Sequence, residues 1–325
     1  MTANAEVLLL GPPKPLIVNG LSAVSALHVL WREDDQEQMI ANVADRVRAI
    51  AISDLIGPVS NDLLCRFPNL EIISSFGVGY DHLDTKWLCE RGVVACNTPD
   101  VLTEEVADTA LGLIIATLRE FSQAERYIRS GNWAAQPYPL SKASLRDRTI
   151  GLVGMGRISK ALARRLEACG VPMAYHSRRP QADVSYRYYN DLIEMARAVD
   201  VLVVIVPGGP GTKHLINAEV LDALGPNGVL INIARGSVVD EPALIKALQE
   251  GRILSAGLDV YADEPNVPDE LRALENVVLL PHIGSASQYT RTAMDQLVVD
   301  NLVAWAAGKS PLTPVAETPW PPKPT

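Results

Sequence analysis

From Arg148 onward, short apolar runs rich in β-branched residues (TIGLV, PMAYH, DVLVVIV, GVLINIA, LSAGLDV and NVVLLP) alternate with stretches of helical period. That alternation predicts a parallel sheet with helices on both faces. Helix ends are marked: Asp240 precedes Glu241 and Pro242 at one start, and Gly251 follows KALQE at one finish. This half has the pattern of a Rossmann domain. The first hundred residues repeat the theme more weakly, with EVLLLG, AIAIS, EIISS and VVAC as strand candidates and turns such as Gly57-Pro58. Long amphipathic helices are expected over about 102–128 and 286–307, bracketing the Rossmann segment. The fold class expected is α/β, with two Rossmann-like or flavodoxin-like domains, each a parallel sheet with helices on both faces. One domain spans 1–100 and is completed by 287–325, and a dinucleotide-binding domain spans 101–286. The proline-rich end, PLTPVAETPWPPKPT, reads as an extended arm or as disordered.

Composition narrows the classes. The 325 residues are 48% hydrophobic and 21% charged, enough for two cores. A formal net charge of −9 argues against nucleic acid as a partner, because phosphate-backbone affinity comes from clustered Lys and Arg. The first residues lack a basic region ahead of an apolar one, so no signal peptide is expected. No apolar run approaches the roughly 20 residues of a membrane span, and a cytoplasmic location is expected. Cys65, Cys89, Cys96 and Cys169 lack CxxC spacing, so neither a metal site nor a disulfide framework is indicated and they read as small core residues.

One turn carries phosphate-binding chemistry. TIGLVG leads into Gly154-Met155-Gly156-Arg157-Ile158-Ser159 and then KALARRLEACG, a strand, a glycine turn and a helix in that order. Gly154 permits the tight turn, and Gly156 lets backbone approach a pyrophosphate over the helix N-terminus. Ser159 stands where a third glycine is usual, and a plain glycine turn opening a core helix is the competing view. About 20 residues on, where a carboxylate usually binds the ribose hydroxyl of NAD, the chain reads His176-Ser177-Arg178-Arg179. A hydroxyl and two guanidinium groups suit a 2′-phosphate, so NADP(H) is the expected carrier. Two solvated surface arginines are the bland alternative.

Three later strand ends carry ionisable residues: Ile233-Ala234-Arg235-Gly236, Gly257-Leu258-Asp259-Val260 through Glu264-Pro265, and Pro281-His282-Ile283-Gly284. Carboxyl ends of parallel strands are where ligands bind. Together Arg235, Glu264 and His282 supply a fork for a carboxylate, a proton donor and a carboxylate that holds the donor protonated, the tools for reducing a 2-oxoacid. Singly, each is more ordinarily a solvated or satisfied side chain.

The segments INIARGSVVDEPAL, AGLDVYADEP, LLPHIGSAS and GLVGMGRIS resemble the motifs of the D-2-hydroxyacid dehydrogenase family over nearly the whole chain. VLTEEVAD with HSRR looks most like its NADPH-dependent glyoxylate and hydroxypyruvate reductase branch. The resemblance implies that Arg235 binds the substrate carboxylate and polarises the keto oxygen, that His282 donates the proton and pairs with Glu264, and that Asp259 bonds the nicotinamide side of the carrier. It implies a D-configured product and a homodimer. Ser75 through Asp81 resembles the family loop whose backbone amides, here those of Val78 and Gly79, capture the carboxylate, and glycines allow such close approach. Thr103 is expected near the nicotinamide, with Ile233 and Ala234 also against the carrier. Trp133 and Tyr289 are weighed as pocket residues across a dimer contact, simple packing being no less expected for Trp133. The preferred oxoacid stays open because loops such as Ile52 to Gly57 shape the pocket. A dinucleotide-sensing regulator on the same fold, or another Rossmann enzyme such as a methyltransferase, remains as the alternative.

Overall fold

The computed structural model describes residues 6–54 and 57–322, so Leu55 and Ile56 of the pocket-shaping loop lie outside the described residues. The chain divides into two compact units, one of residues up to Leu102 together with those from Ser287 on, the other from Thr103 to Ala286.

In the first unit, β1 (Glu6–Leu10), β2 (Ala26–Val29), β3 (Val47–Ile52), β4 (Ile72–Ser75) and β5 (Val94–Cys96) form a parallel sheet in the order β2-β1-β3-β4-β5. The order is flavodoxin-like and reverses between β1 and β3. Leu8, Ile50, Ile52 and Ile73 are fully buried, as expected of parallel strands covered on both faces. The Gln288–Ala306 helix returns to this unit, where a Cβ on Gly20 would lie 2.8 Å from its Val299. The proline-rich end is an ordered arm as far as Pro322: Val315 N–H donates to Ala95 (2.8 Å), and Thr318 Oγ1 accepts from Ala95 N–H (2.8 Å), so the arm covers the β5 edge.

In the second unit, β6 (Ile150–Val153), β7 (Met173–His176), β8 (Arg187–Tyr189), β9 (Val201–Val204), β10 (Val229–Asn232), β11 (Ser255–Leu258) and β12 (Val277–Leu279) form a parallel sheet in the order β12-β11-β10-β9-β6-β7-β8. This is a Rossmann order with one added strand, reversing between β6 and β9. Polar caps start three of its helices: Asp191, Asn217 and Asp240 each accept a backbone N–H three residues on.

Two expectations need correction. The single long helix over 102–128 is two, Thr103–Leu118 and Phe121–Arg129. They are broken at Glu120, whose φ is +56° and whose carboxylate accepts from Tyr138 Oη at 3.0 Å. Of the four cysteines only Cys96 is buried, its thiol pushed up to about 12 by burial, while Cys65 is exposed. Among the described residues no helix is long and apolar enough to cross a membrane.

Candidate active site

The glycine turn after β6 is built as its sequence requires. Gly154 has φ +98°, and a Cβ there would stand 2.2 Å from the Ile205 carbonyl oxygen. Only glycine meets both conditions. Gly156 is the N-cap of the Arg157–Ala168 helix, and a Cβ on it would meet nothing within 4 Å, so its surroundings are open. The uncapped N–H groups of that helix's first turn and its positive dipole end favour a phosphate. Met155 is buried beneath the turn. Arg157 and Ile158 open the helix, and Ser159 is buried with no partner for its hydroxyl among the described residues, so it packs as the missing third glycine would.

A cleft of about 580 Å³ runs from this turn across Ser177, Arg178 and Arg179 to a Pro207–Thr212 loop after β9. It therefore spans the β6/β9 switch point, where this fold takes dinucleotides. Ser177 Oγ donates to the Arg179 carbonyl at 2.7 Å, which folds the two arginines into a turn at the cleft edge. Both guanidinium groups are exposed, and among the described residues neither is paired with a carboxylate. The residues present fit a dinucleotide carrying a 2′-phosphate. Sequence reasoning missed the Pro207–Thr212 wall, although PGGPG after an apolar run is a loop signal.

At the carboxyl ends of β10, β11 and β12 the three ionisable residues come from adjacent strands. Arg235 follows β10, its preceding residues Ile233 and Ala234 buried, and Asn232 braces the loop by donating to the Arg235 carbonyl (3.0 Å) and accepting from Ala234 N–H (3.0 Å). Gly236 comes next because a Cβ there would fall 1.8 Å from the Tyr261 carbonyl. His282 Nδ1 lies 2.6 Å from Glu264 Oε2, and Glu264 Oε1 accepts from Tyr261 N–H at 3.0 Å. Burial pushes the Glu264 carboxyl up, but the bonds from His282 and the Tyr261 N–H, with the charges of His282 and Arg235, outweigh it and hold it below the usual glutamate range. His282 itself has φ +53°, a strained conformation for this residue type, of the sort that collects at functional sites.

Asp259 explains how that strain is held. Its carboxylate accepts from Ile283 N–H (2.7 Å) and Gly284 N–H (2.8 Å), and its carbonyl accepts from His282 N–H (2.8 Å). Burial pushes Asp259 above the usual aspartate range despite those bonds. The resemblance assigns Asp259 to the carrier, whereas in the structure it clamps the His282 turn. A carboxylate has lone pairs for a further donor as well. The helix that Thr103 opens reaches the same turn, with Thr109 Oγ1 donating to the Gly284 carbonyl at 3.3 Å.

In the first unit, Val78 and Gly79 lie after β4. Thr98 Oγ1 accepts from Gly77 N–H (2.9 Å), Asn97 Nδ2 donates to the Val78 carbonyl (2.8 Å), and Ser75 and His82 join across the loop base (2.8 Å). Among the described residues nothing accepts from the Val78 or Gly79 N–H, so two donors remain for an anion. Trp133 is 64% exposed and Tyr289 is 86% exposed, so neither side chain is part of its own unit's core.

A dinucleotide cleft and an Arg, Glu and His set on one Rossmann sheet define a nicotinamide-dependent dehydrogenase. Residues 111–284 match the family of D-isomer specific 2-hydroxyacid dehydrogenases through its NAD binding domain. The chain is 45% identical over 309 residues to a glyoxylate/hydroxypyruvate reductase A of Arabidopsis thaliana, covering 95% of this chain and 98% of that protein. The same figures hold for a hydroxyphenylpyruvate reductase of Plectranthus scutellarioides. A crystal structure of an NADPH-dependent glyoxylate/hydroxypyruvate reductase from Sinorhizobium meliloti, in complex with NADP and malonate, is similar with a TM-score of 0.91 and 49% identity, covering 98% of each chain. The chain belongs to the D-isomer specific 2-hydroxyacid dehydrogenase family.

Proposed function

We propose that this protein reduces small 2-oxoacids, glyoxylate and hydroxypyruvate foremost, to D-2-hydroxyacids at the expense of NADPH. The observation that carries this reading is the 2.6 Å contact of His282 with Glu264 on strand ends next to that of Arg235, in the same unit as a cleft edged by Arg178 and Arg179. Gly154, Met155, Gly156, Arg157 and Ile158 hold the pyrophosphate, and Ser177, Arg178 and Arg179 hold the 2′-phosphate. Thr103, Ile233, Ala234 and Asp259 contact the nicotinamide half. Bound NADPH supplies the hydride for the keto carbon. The Val78 and Gly79 N–H groups and Arg235 take the substrate carboxylate, and Arg235 also polarises the keto oxygen. His282 delivers the proton to that oxygen from Nε2, since Nδ1 is engaged by Glu264, which keeps the ring oriented.

Phe121, Ile128, Trp133 and Leu140 expose 54%, 59%, 64% and 95% of their surface within one short stretch, which supports a homodimer formed through this face. Four free thiols accord with a cytoplasmic protein. The dinucleotide-sensing alternative is not favoured, because a sensor has no need of a hydrogen-bonded His and Glu pair beside Arg235. The test is the initial rate of NADPH oxidation with glyoxylate, hydroxypyruvate and hydroxyphenylpyruvate, repeated with NADH. Rapid turnover with a margin for NADPH is expected. NADPH binding without oxidation by any of the three overturns the proposal.

A further inference from the structure

The carboxyl edge of the five-stranded sheet carries a charged cluster that the proposed chemistry does not use. Lys14 follows β1, Asp54 follows β3 and Phe76 follows β4, so three neighbouring strands deliver them beside the β1/β3 switch point. The Phe76 ring is 1% exposed, yet Lys14 Nζ lies 3.5 Å and Arg291 Cζ 5.0 Å from its centroid. Two cations over one ring repel each other unless anions offset them. Asp54 stands 3.9 Å from Lys14 and 3.8 Å from Arg291, and Asp295 is 3.2 Å from Lys14. The face of an aromatic ring attracts cations, more strongly where water is scarce.

Phe76 is also the residue that enters the Gly77-Val78-Gly79 loop, whose other anchors, Thr98, Asn97 and the Ser75–His82 contact, are polar groups. We infer that Lys14 and Arg291 are positioning residues which grip the Phe76 ring and so fix the direction of the Val78 and Gly79 N–H groups. The inference rests on the reading that those amides take the oxoacid carboxylate. The competing view is structural: Lys14 merely neutralises Asp295 and ties the Pro15–Ser22 helix to the Gln288–Ala306 helix.

Three variants separate the two views: Phe76→Leu, the pair Lys14→Met with Asp295→Asn, which removes both charges together, and the conservative Lys14→Arg. Each is measured for glyoxylate KM, kcat, NADPH Kd and Tm beside the wild type. The first two are expected to raise KM about 3- to 30-fold, the range a desolvated cation over a ring covers. Kcat and NADPH Kd stay near wild type, and Lys14→Arg keeps the wild-type KM. Combining Phe76→Leu with the charge pair adds little further, because both act through one contact. A wild-type KM in either lesion, with the parent protein active, overturns this inference alone. A parent protein without oxoacid turnover overturns the proposed function and this inference with it.

Discussion

Under the proposed function the two units meet the same problem, holding an anion at the carboxyl edge of a parallel sheet, with opposite means. The second unit uses side chains: Arg235, Glu264 and His282 come from the ends of three adjacent strands, and the Asp259 carboxylate clamps the turn that carries the histidine. The first unit uses main chain: Thr98 and Asn97 occupy the flanking polar groups of the loop after β4, which leaves the Val78 and Gly79 N–H groups to donate. Side-chain sites can move protons, because they contain titratable groups. Main-chain donors can only bind and orient, but they do so at any pH and with little regard to the side chains they carry.

That contrast sets an order of expected effects. His282→Ala should lower kcat about 100-fold or more, the scale of general acid catalysis, while NADPH titrated by fluorescence binds as before. Turnover retained near the parent level would remove the histidine from the chemistry. Arg178→Ala combined with Arg179→Ala should weaken NADPH about tenfold or more and leave NADH nearly unchanged. A charge pair at 4 Å is worth about 4 kcal/mol at an effective dielectric of 20, and a third of that is tenfold. Equal losses for both carriers would show that the pair does not read the 2′-phosphate. Val78→Ala should shift glyoxylate KM by less than about threefold, since the amide survives the substitution. A loss as large as that of His282→Ala would mean that the side chain, not the N–H, makes the contact.

How much of this was legible in the sequence follows the same division. The runs buried on both faces, such as DVLVVIV and GVLINIA, identify β9 and β10, and the glycine turn identifies the cofactor cleft. The edge strands β2 and β8 were not legible, because ALHV has no buried position and RYY has one. The break between the two helices over 102–128 carries no glycine or proline. It depends on Glu120 reaching Tyr138, 18 residues on, which no local pattern reveals. Arg235, Glu264 and His282 could be singled out as residue types at strand ends. Val78 and Gly79 came only through family resemblance, since a free N–H has no letter of its own. The Asp259 clamp and the Lys14–Phe76–Arg291 contact depend on partners more than 20 residues away and became visible only in three dimensions.

The most direct test of the side-chain half is the pH dependence of kcat for the parent protein and for Glu264→Gln. Glu264 is held below the usual glutamate range, so in the folded protein its charge is present above that range and is lost only as pH falls through the depressed value. At neutral pH it therefore faces His282 as an anion, and replacing it by a neutral amide removes both that charge and the carboxylate oxygen held against Nδ1. The expected result is an acid limb of oxoacid reduction in the parent protein, falling as pH drops through the depressed Glu264 value, that is absent from Glu264→Gln, whose kcat is low at every pH, with NADPH affinity retained. Superimposable profiles would contradict proton delivery by a Glu264-supported His282.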